Sequence, residues 1–146
     1  MRKVLLAGVA AGLLMAQAPH AGTIVLQDQS GGWPGGHRRL FEAIEASGSI
    51  VEIRGKCVSA CTLILSYIPK ERLCFHETAW LAFHLSGWPS YTDIKASQAI
   101  FDSYPQDIRT WLQQKGGLEK MPHGAKLWAM FAPELWKMGY RKCGSK

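Results

Sequence analysis

The chain has 146 residues and a formal net charge of +6 at pH 7. Hydrophobic residues make up 47% of it and charged residues 19%. This composition is typical of a globular domain and excludes a disordered chain, a coiled coil and a collagen-like fibre. The length suits one domain with its own core. Because the positive charge is modest and spread along the chain, we expect no nucleic-acid partner.

The N-terminal segment has the features of an export signal. A basic pair at positions 2–3 precedes an uncharged apolar run over 4–16, and Ala-Gln-Ala at 16–18 has the small-x-small pattern of a cleavage site. The run is too short to span a bilayer comfortably. We therefore expect residues 1–21 to be a signal peptide and residues 22–146 to form one periplasmic or secreted domain. An uncleaved membrane anchor is the alternative.

Apolar periodicity and glycine or proline signals predict alternating strands and helices. In chain order they predict a strand over 23–27, a glycine-rich loop over 30–36, a helix over 37–47, a strand over 50–53, a turn over 55–59, a helix over 60–68, a strand over 79–84, helices over 92–103 and 105–115, a helix over 133–138 and a terminal strand over 140–143. This order indicates an α/β domain with a mostly parallel sheet and flanking helices.

Functional sites of such sheets gather at the carboxyl ends of the strands. Ser59 lies there, between a predicted strand and a predicted apolar helix. A hydroxyl at this turn is exposed, and the next amide, that of Ala60, can stabilise an oxyanion. The glycine-rich loop can supply a second amide at Gly31 or Gly32, because glycine lets the backbone approach a substrate. The alternative is that Ser59 only caps a helix.

His84 ends the next predicted strand and can take the proton of a serine nucleophile. Together Ser59 and His84 are the candidate catalytic residues. The alternative for His84 is a packed, hydrogen-bonded histidine without chemistry. A phosphate-binding loop is excluded at the glycine-rich segment, because no Gly-Lys-Ser/Thr follows it.

The segment from Gly55 to His84 resembles the proteolytic subunit of Clp protease. It resembles more closely a group of small exported bacterial proteins related to that subunit, within the wider crotonase-like superfamily. That family has a Gly-x-x-x-Ser turn, a Lys-Arg-like pair and a strand that ends in the catalytic histidine. Here these elements are Gly55 with Ser59, the sequence Lys-Glu-Arg at 70–72, and His84. Ser-Gly-Gly at 30–32 is similar to the family's oxyanion loop.

The resemblance extends to the C-terminus, where FAPELWKMGY at 131–140 is similar to the family's ending. It implies a Clp-protease/crotonase-like fold and a serine hydrolase that acts on a peptide or another acyl substrate without a cofactor. The family's orienting aspartate is expected near Leu127, but residues 126–131 contain no acid. Asp107 or Glu119 can replace it only if the chain path differs. A catalytically inactive binding or assembly module with the same fold is therefore the second hypothesis.

Four cysteines follow the predicted signal peptide: Cys57, Cys61, Cys74 and Cys143. An even number in an exported chain predicts disulfides. We expect Cys57–Cys61, because a strand-to-helix turn can bring such Cα atoms within disulfide reach, and Cys74–Cys143, which would tie down the C-terminus. A Cys61–Cys74 bridge is the rival. A zinc site is the other alternative, but no second closely spaced Cys/His pair completes it, so we expect no metal.

Two further expectations concern surfaces. Trp33 and Trp88 lie in predicted loops beside Ser59 and are candidates to line a substrate groove. Residues 92–115 match the region where the family extends a helix for subunit contact, which would make the protein a homo-oligomer with Trp111 and Leu112 on the contact. The alternative is that these two side chains simply cover the sheet.

Overall fold

The protein is represented by a computed structural model that describes residues 21–88 and 90–144, with the backbone alone at Trp88. The strands are β1 (Thr23–Gln29), β2 (Ile50–Val58), β3 (Leu73–Phe75), β4 (Trp80–Phe83), β5 (Gly87–Trp88), β6 (Tyr91–Thr92), β7 (Trp128–Phe131) and β8 (Arg141–Lys142). The α-helices are α1 (Pro34–Ala46), α2 (Ile64–Tyr67), α3 (Ile94–Ser103), α4 (Gln106–Gln114), α5 (Gly117–Lys120) and α6 (Ala132–Lys137). Short 3-10 helices cover Ser59–Leu63 and Lys70–Arg72.

β2 is the centre of a six-stranded sheet. One edge of β2 pairs with β1, and the other pairs first with β3 through residues 51–53 and then with β4 through residues 56–58. These pairings and that of β3 with β8 are parallel, whereas β7 runs antiparallel to β4. The predicted α/β domain with a mostly parallel sheet and flanking helices is therefore confirmed.

The predicted turn over 55–59 is wrong, because β2 continues through Gly55 to Val58. Gly55 has a φ of +64°, and a methyl group on it would lie 2.1 Å from Asp28 Oδ1. Asp28 also has a positive φ, of 51°, and the pairing of β1 with β2 is irregular beside it. The carboxylate of Asp28 accepts the Lys56 amide at 3.2 Å. A glycine at an irregularity inside a continuous strand therefore looks, in the sequence, like a glycine in a turn.

Other boundaries also differ from expectation. α1 begins at Pro34, the first-turn position that favours proline, rather than at residue 37. The helix predicted over 60–68 is a 3-10 turn followed by the four residues of α2. Four strands had no prediction: β3, the two strands of the β5–β6 hairpin, and β7. They have between two and four residues each, too few to show a periodic pattern.

The core is built from α1, the sheet and α4. Phe41 of α1, Leu81 of β4 and Ile108 of α4 are fully buried. Trp111 and Leu112 are 8% and 0% exposed, so they pack into the core of a single chain and are not available for a subunit contact. Their burial agrees with the alternative, in which Trp111 and Leu112 cover the sheet. Homo-oligomerisation through residues 92–115 stays a prediction.

Both predicted disulfides are present. Cys57 and Cys61 are joined with Cα atoms 5.3 Å apart, and Cys74 and Cys143 with Cα atoms 4.9 Å apart. The rival Cys61–Cys74 pairing is therefore excluded, and neither cysteine of the Cys57-x3-Cys61 pair is a free thiol for zinc. Two disulfides are typical of proteins in an oxidising compartment.

In the described part of the chain, no helix has the length and apolar character needed to cross a membrane. The predicted signal peptide lies outside the described residues except for Ala21.

Candidate active site

Ser59 stands where the chain leaves β2 and enters the first 3-10 turn. Its φ is +58°, a left-handed conformation that costs free energy for a residue with a side chain. Its Oγ makes no hydrogen bond with another described residue, and no side chain caps the 3-10 turn, whose N-cap is Val58. Ser59 therefore does not serve as a helix cap here. A strained backbone that presents an unbonded hydroxyl is typical of a nucleophile.

The Cys57–Cys61 disulfide closes the turn that carries Ser59. Cys57 lies near the end of β2, and Cys61 lies inside the 3-10 helix. Both side chains are fully buried. Because this bridge spans only four residues, it restricts the conformations available to Ser59 directly.

A buried hydrogen-bond chain also holds this turn. Thr62 Oγ1 donates to the carbonyl of Ser59 at 2.6 Å, and the hydroxyls of Thr62 and Tyr104 are 2.6 Å apart. Since the single hydroxyl proton of Thr62 goes to the carbonyl, Tyr104 must be the donor to Thr62. Burial raises the pKa of the Tyr104 phenol well above its usual range, more than the hydrogen bond with Thr62 lowers it. Tyr104 therefore stays a neutral donor at physiological pH.

The glycine-rich loop after β1 touches Ser59. A methyl group on Gly31 would lie 2.5 Å from Ser59 Cβ and 2.9 Å from Ser59 Oγ, so only glycine fits at this contact. Gly32, Ser59 and Ala60 line one pocket. The amide of Ala60 belongs to the first turn of the 3-10 helix, where N–H groups have no intrahelical acceptor. Gly31 and Ala60, whose amides are predicted to form an oxyanion hole, thus lie next to the serine, although Gly31 is not among the residues that line the pocket.

His84 follows β4 directly and is half-buried. Its Nδ1 lies 2.8 Å from the carbonyl oxygen of Leu85. Because a carbonyl oxygen only accepts, Nδ1 carries the proton, and Nε2 of the neutral ring keeps a lone pair. The same peptide unit carries the amide of Ser86, which donates to Ser97 Oγ at 2.8 Å. The tautomer of His84 is therefore set by a peptide unit that is itself held in place.

Ser59 and His84 line the same cavity of about 80 Å³. Its apolar wall comes from Leu63, Phe83 and Ile100. The described side chains of Ser59 and His84 are not hydrogen-bonded to each other. Catalytic hydrogen bonds are often long without substrate and tighten when it binds, so this geometry is compatible with a catalytic pair.

An open cleft of about 540 Å³ adjoins the cavity and also contains Ser59. Trp33 lines this cleft, as predicted for a groove residue, and Tyr91 lines it as well. The side chain of Trp88, the other predicted groove residue, lies outside the described part of the structure.

Neither carboxylate considered from the sequence orients His84. Asp107 Oδ2 forms an ion pair with Lys70 Nζ at 2.7 Å, and its Oδ1 accepts the amide of Ile108. Glu119 lies exposed on α5 and makes no hydrogen bond to His84. The orienting group is the Leu85 carbonyl, which sequence reasoning missed because every residue has such a group and none marks its direction.

No protein-family model matches the chain, and no curated protein matches it. Among solved structures, it is similar to a mutant form of ClpP1 from Listeria monocytogenes. The two chains share 15% sequence identity with a TM-score of 0.48, over 82% of this chain and 71% of that chain. The likeness concerns the arrangement of the α/β fold alone. Membership of a family stays a prediction.

Proposed function

We propose that this protein is a serine hydrolase that cleaves peptide or other acyl bonds, with Ser59 as nucleophile and His84 as general base. The observation that carries the proposal is the geometry of Ser59. Its hydroxyl is unbonded on a strained turn and opens into the cavity lined by His84.

The chemistry follows from the groups around Ser59. Nε2 of His84 takes the hydroxyl proton while Oγ attacks the carbonyl carbon of the substrate. The amides of Gly31 and Ala60 hold the negative oxygen of the tetrahedral intermediate. His84 then returns the proton to the leaving group, which leaves an acyl group on Ser59. Water, activated by the same imidazole, hydrolyses this ester and restores the hydroxyl.

The Leu85 carbonyl takes the orienting part that a carboxylate has in a catalytic triad. It fixes the tautomer of His84 through Nδ1, at 2.8 Å. A neutral carbonyl stabilises the imidazolium less than a carboxylate does, so we expect a slower enzyme than a full triad. In a catalytic triad, a histidine held in the wrong tautomer costs about 10⁴-fold in rate. Because the Leu85 carbonyl fixes the tautomer of His84, we expect part of that loss in rate to be avoided here.

The second candidate function is a binding or assembly module that has the fold without the chemistry. Two observations favour it: no described carboxylate forms a hydrogen bond or ion pair with His84, and Ser59 and His84 are not hydrogen-bonded to each other. In that case the cleft binds an acyl compound or a peptide and releases it unchanged.

We place the protein in the periplasm or outside the cell, after removal of a signal peptide. Two disulfides in a chain of this size support an oxidising compartment. This placement also supports a substrate that is itself exported or taken up from outside.

Steady-state hydrolysis of p-nitrophenyl acetate by the oxidised protein tests the hydrolase function. We expect Ser59→Ala to lose activity by about 10³-fold or to reach the rate of buffer, and His84→Ala to lose about 10²–10⁴-fold. Ser66→Ala is the matched control, because the Ser66 hydroxyl is bonded to that of Ser103 at 2.9 Å, in another part of the chain. It should hydrolyse the ester at the wild-type rate.

A wild-type rate no higher than that of Ser59→Ala would contradict the hydrolase function. If Ser59→Ala still bound acyl compounds at the cleft, that result would support the binding module instead.

A further inference from the structure

The outer edge of β1 has no strand beside it. β1 pairs with β2 from Thr23 to Gln27 in regular register, and no other described strand pairs with β1. β1 has seven residues, whereas β7 and β8, the strands at the other ends of the described sheet, have four and two. A long unpaired edge is a template on which a further strand can form hydrogen bonds.

The orientation of the β1 backbone follows from one hydrogen bond. The Ile50 amide donates to the carbonyl of Gly22 at 3.0 Å, so that carbonyl faces β2. Because the direction alternates along a strand, the N–H and C=O groups of every second residue after Gly22 point away from β2. These outward residues are Thr23, Val25 and Gln27. The Gln27 carbonyl accepts the side-chain amide of Gln29 at 3.0 Å, as expected of a group outside the ladder.

The side chains of this edge do not repel another strand. Edge strands that resist pairing carry lysine, other charges or proline. Residues 23–27 contain none of these, and Val25 is 44% exposed. Asp28 is the first charged residue of β1, and its positive φ of 51° coincides with the irregular register that ends the regular edge. The edge open to pairing therefore runs from Thr23 to Gln27.

This edge is complementary to itself. In an antiparallel pair of two copies with Val25 opposite Val25, Thr23 lies opposite Gln27 of the second copy, and Ile24 lies opposite Leu26. The outward N–H and C=O groups of one copy then meet those of the other at each hydrogen-bonded pair. Apolar side chains face apolar ones, and uncharged polar side chains face each other. This match fixes one register for the pair.

The core side of β1 is left incomplete at this edge. Ile24 lies opposite Val51, and Leu26 opposite Ile53, in the parallel register with β2. Val51 and Ile53 are fully buried, whereas Ile24 and Leu26 pack against the core and remain only partly buried. In the antiparallel pair, the Ile24 and Leu26 side chains of the two copies cover each other. Association thus removes apolar surface from water in addition to forming backbone hydrogen bonds.

We infer that two copies of this chain associate through β1, about a two-fold axis at Val25, so that their two six-stranded sheets become one continuous sheet. Such a contact is isologous, because both copies use the same strand. It differs from the contact expected over residues 92–115, and it does not depend on the chemistry of Ser59. Because one pair of strands is a small interface, the dimer is reversible and depends on protein concentration.

Sedimentation equilibrium of the exported, oxidised protein tests the dimer at concentrations up to about 1 mM. We expect the wild type to be a reversible dimer. The double variant Thr23→Lys, Gln27→Lys sets lysines opposite each other and should raise the Kd of the dimer by about tenfold or more. The double variant Thr23→Lys, Gln27→Glu is matched to it at the same two positions. It sets opposite charges against each other and should keep the wild-type Kd or lower it.

Phe131→Lys is the control for a charge on another edge strand, since Phe131 of β7 is 55% exposed. It should keep the wild-type Kd. Because Thr23 and Gln27 are exposed, circular dichroism should show every variant folded. A protein that stays monomeric up to about 1 mM would overturn the inference, whether the preceding segment covers β1 or leaves it open. A dimer that tolerates both double variants equally, or that Phe131→Lys dissociates, would place the contact elsewhere and overturn it as well.

Discussion

The backbone of Gly31 lies against the side chain of Ser59. A methyl group on Gly31 would be 2.5 Å from Ser59 Cβ and 2.9 Å from Oγ, closer than a Cβ atom approaches another heavy atom in practice. The contact joins the loop after β1 to the turn after β2, two segments at the carboxyl ends of neighbouring parallel strands. The position of Ser59 thus depends on a residue that has no side chain.

Gly31→Ala tests this contact. Because the added methyl group must displace either the Ser59 side chain or the loop that supplies the oxyanion amide, we expect hydrolysis of p-nitrophenyl acetate to fall by about 10²-fold or more. Gly22→Ala is the control, as a methyl group there meets nothing within 4 Å. Rates are to be compared at a temperature where both variants are folded by circular dichroism. Wild-type activity in Gly31→Ala would show that the loop is not part of the site.

Ser59→Gly tests the strain at the nucleophile. Glycine adopts a φ of +58° without steric cost, whereas alanine pays the same cost as serine. We expect Ser59→Gly to be more stable than Ser59→Ala by about 1 kcal/mol in the free energy of unfolding. Urea denaturation of the two inactive variants measures the difference. Equal stabilities would mean that the turn is not strained.

Removal of the Cys57–Cys61 disulfide tests whether the bridge serves the site. We expect the variant with alanine at both positions to lose most of its activity, because the Ser59 turn gains freedom. The matched control is the variant with alanine at Cys74 and Cys143, whose bridge closes a loop of 69 residues far along the chain. The chain-entropy relation gives about 4 kcal/mol of stabilisation for that longer loop and about 2 kcal/mol for the shorter.

The two double variants should therefore differ in opposite directions in stability and in activity. The control should lose more stability and keep more activity, when both are assayed well below their melting temperatures. Loss of activity that follows the loss of stability in both would contradict a special role for Cys57–Cys61.

Thr62 is predicted to position Ser59 by donating a hydrogen bond to the Ser59 carbonyl. Thr62→Val leaves the buried Tyr104 hydroxyl without its partner, at a cost of about 1–3 kcal/mol, and removes the side-chain hydrogen bond to the Ser59 carbonyl. We expect kcat to fall while KM changes little, since Thr62 acts on the turn. Thr62→Ser keeps the hydroxyl and should restore kcat. A parallel loss of kcat in Thr62→Ser and Thr62→Val would show that the missing methyl group matters, not the hydrogen bond.

The features that can be predicted from this sequence are marked by neighbouring residues or by the spacing of one residue type along the chain. Ser59 and His84 line one cavity, and each has a local signal: Ser59 is a polar residue between a β-branched strand and an apolar segment, and His84 ends an uncharged apolar run. The spacing of Cys57 and Cys61 across a turn predicts the first disulfide, and the position of Cys143 at a terminus that otherwise frays predicts its bridge to Cys74. The alternation of strands and helices was sufficient for the mostly parallel sheet.

The parts that it missed are set by tertiary contacts. Tyr104 is 42 residues from Thr62, and no local pattern indicates that their hydroxyls meet. The Leu85 carbonyl orients His84 through a backbone group, which has no signature in the side chains. Gly55 was assigned to a turn because a strand irregularity and a turn need the same positive φ.

In the proposed function, Ser59 is a nucleophile activated by its surroundings. Mass spectrometry after treatment with an alkyl fluorophosphonate tests it most directly, since this reagent phosphonylates an activated serine and releases fluoride. We predict one adduct per chain, found on the peptide that contains Ser59, and none in Ser59→Ala. We also predict a much slower reaction in His84→Ala. An unmodified wild-type protein, or an adduct on a different serine, would contradict the claim.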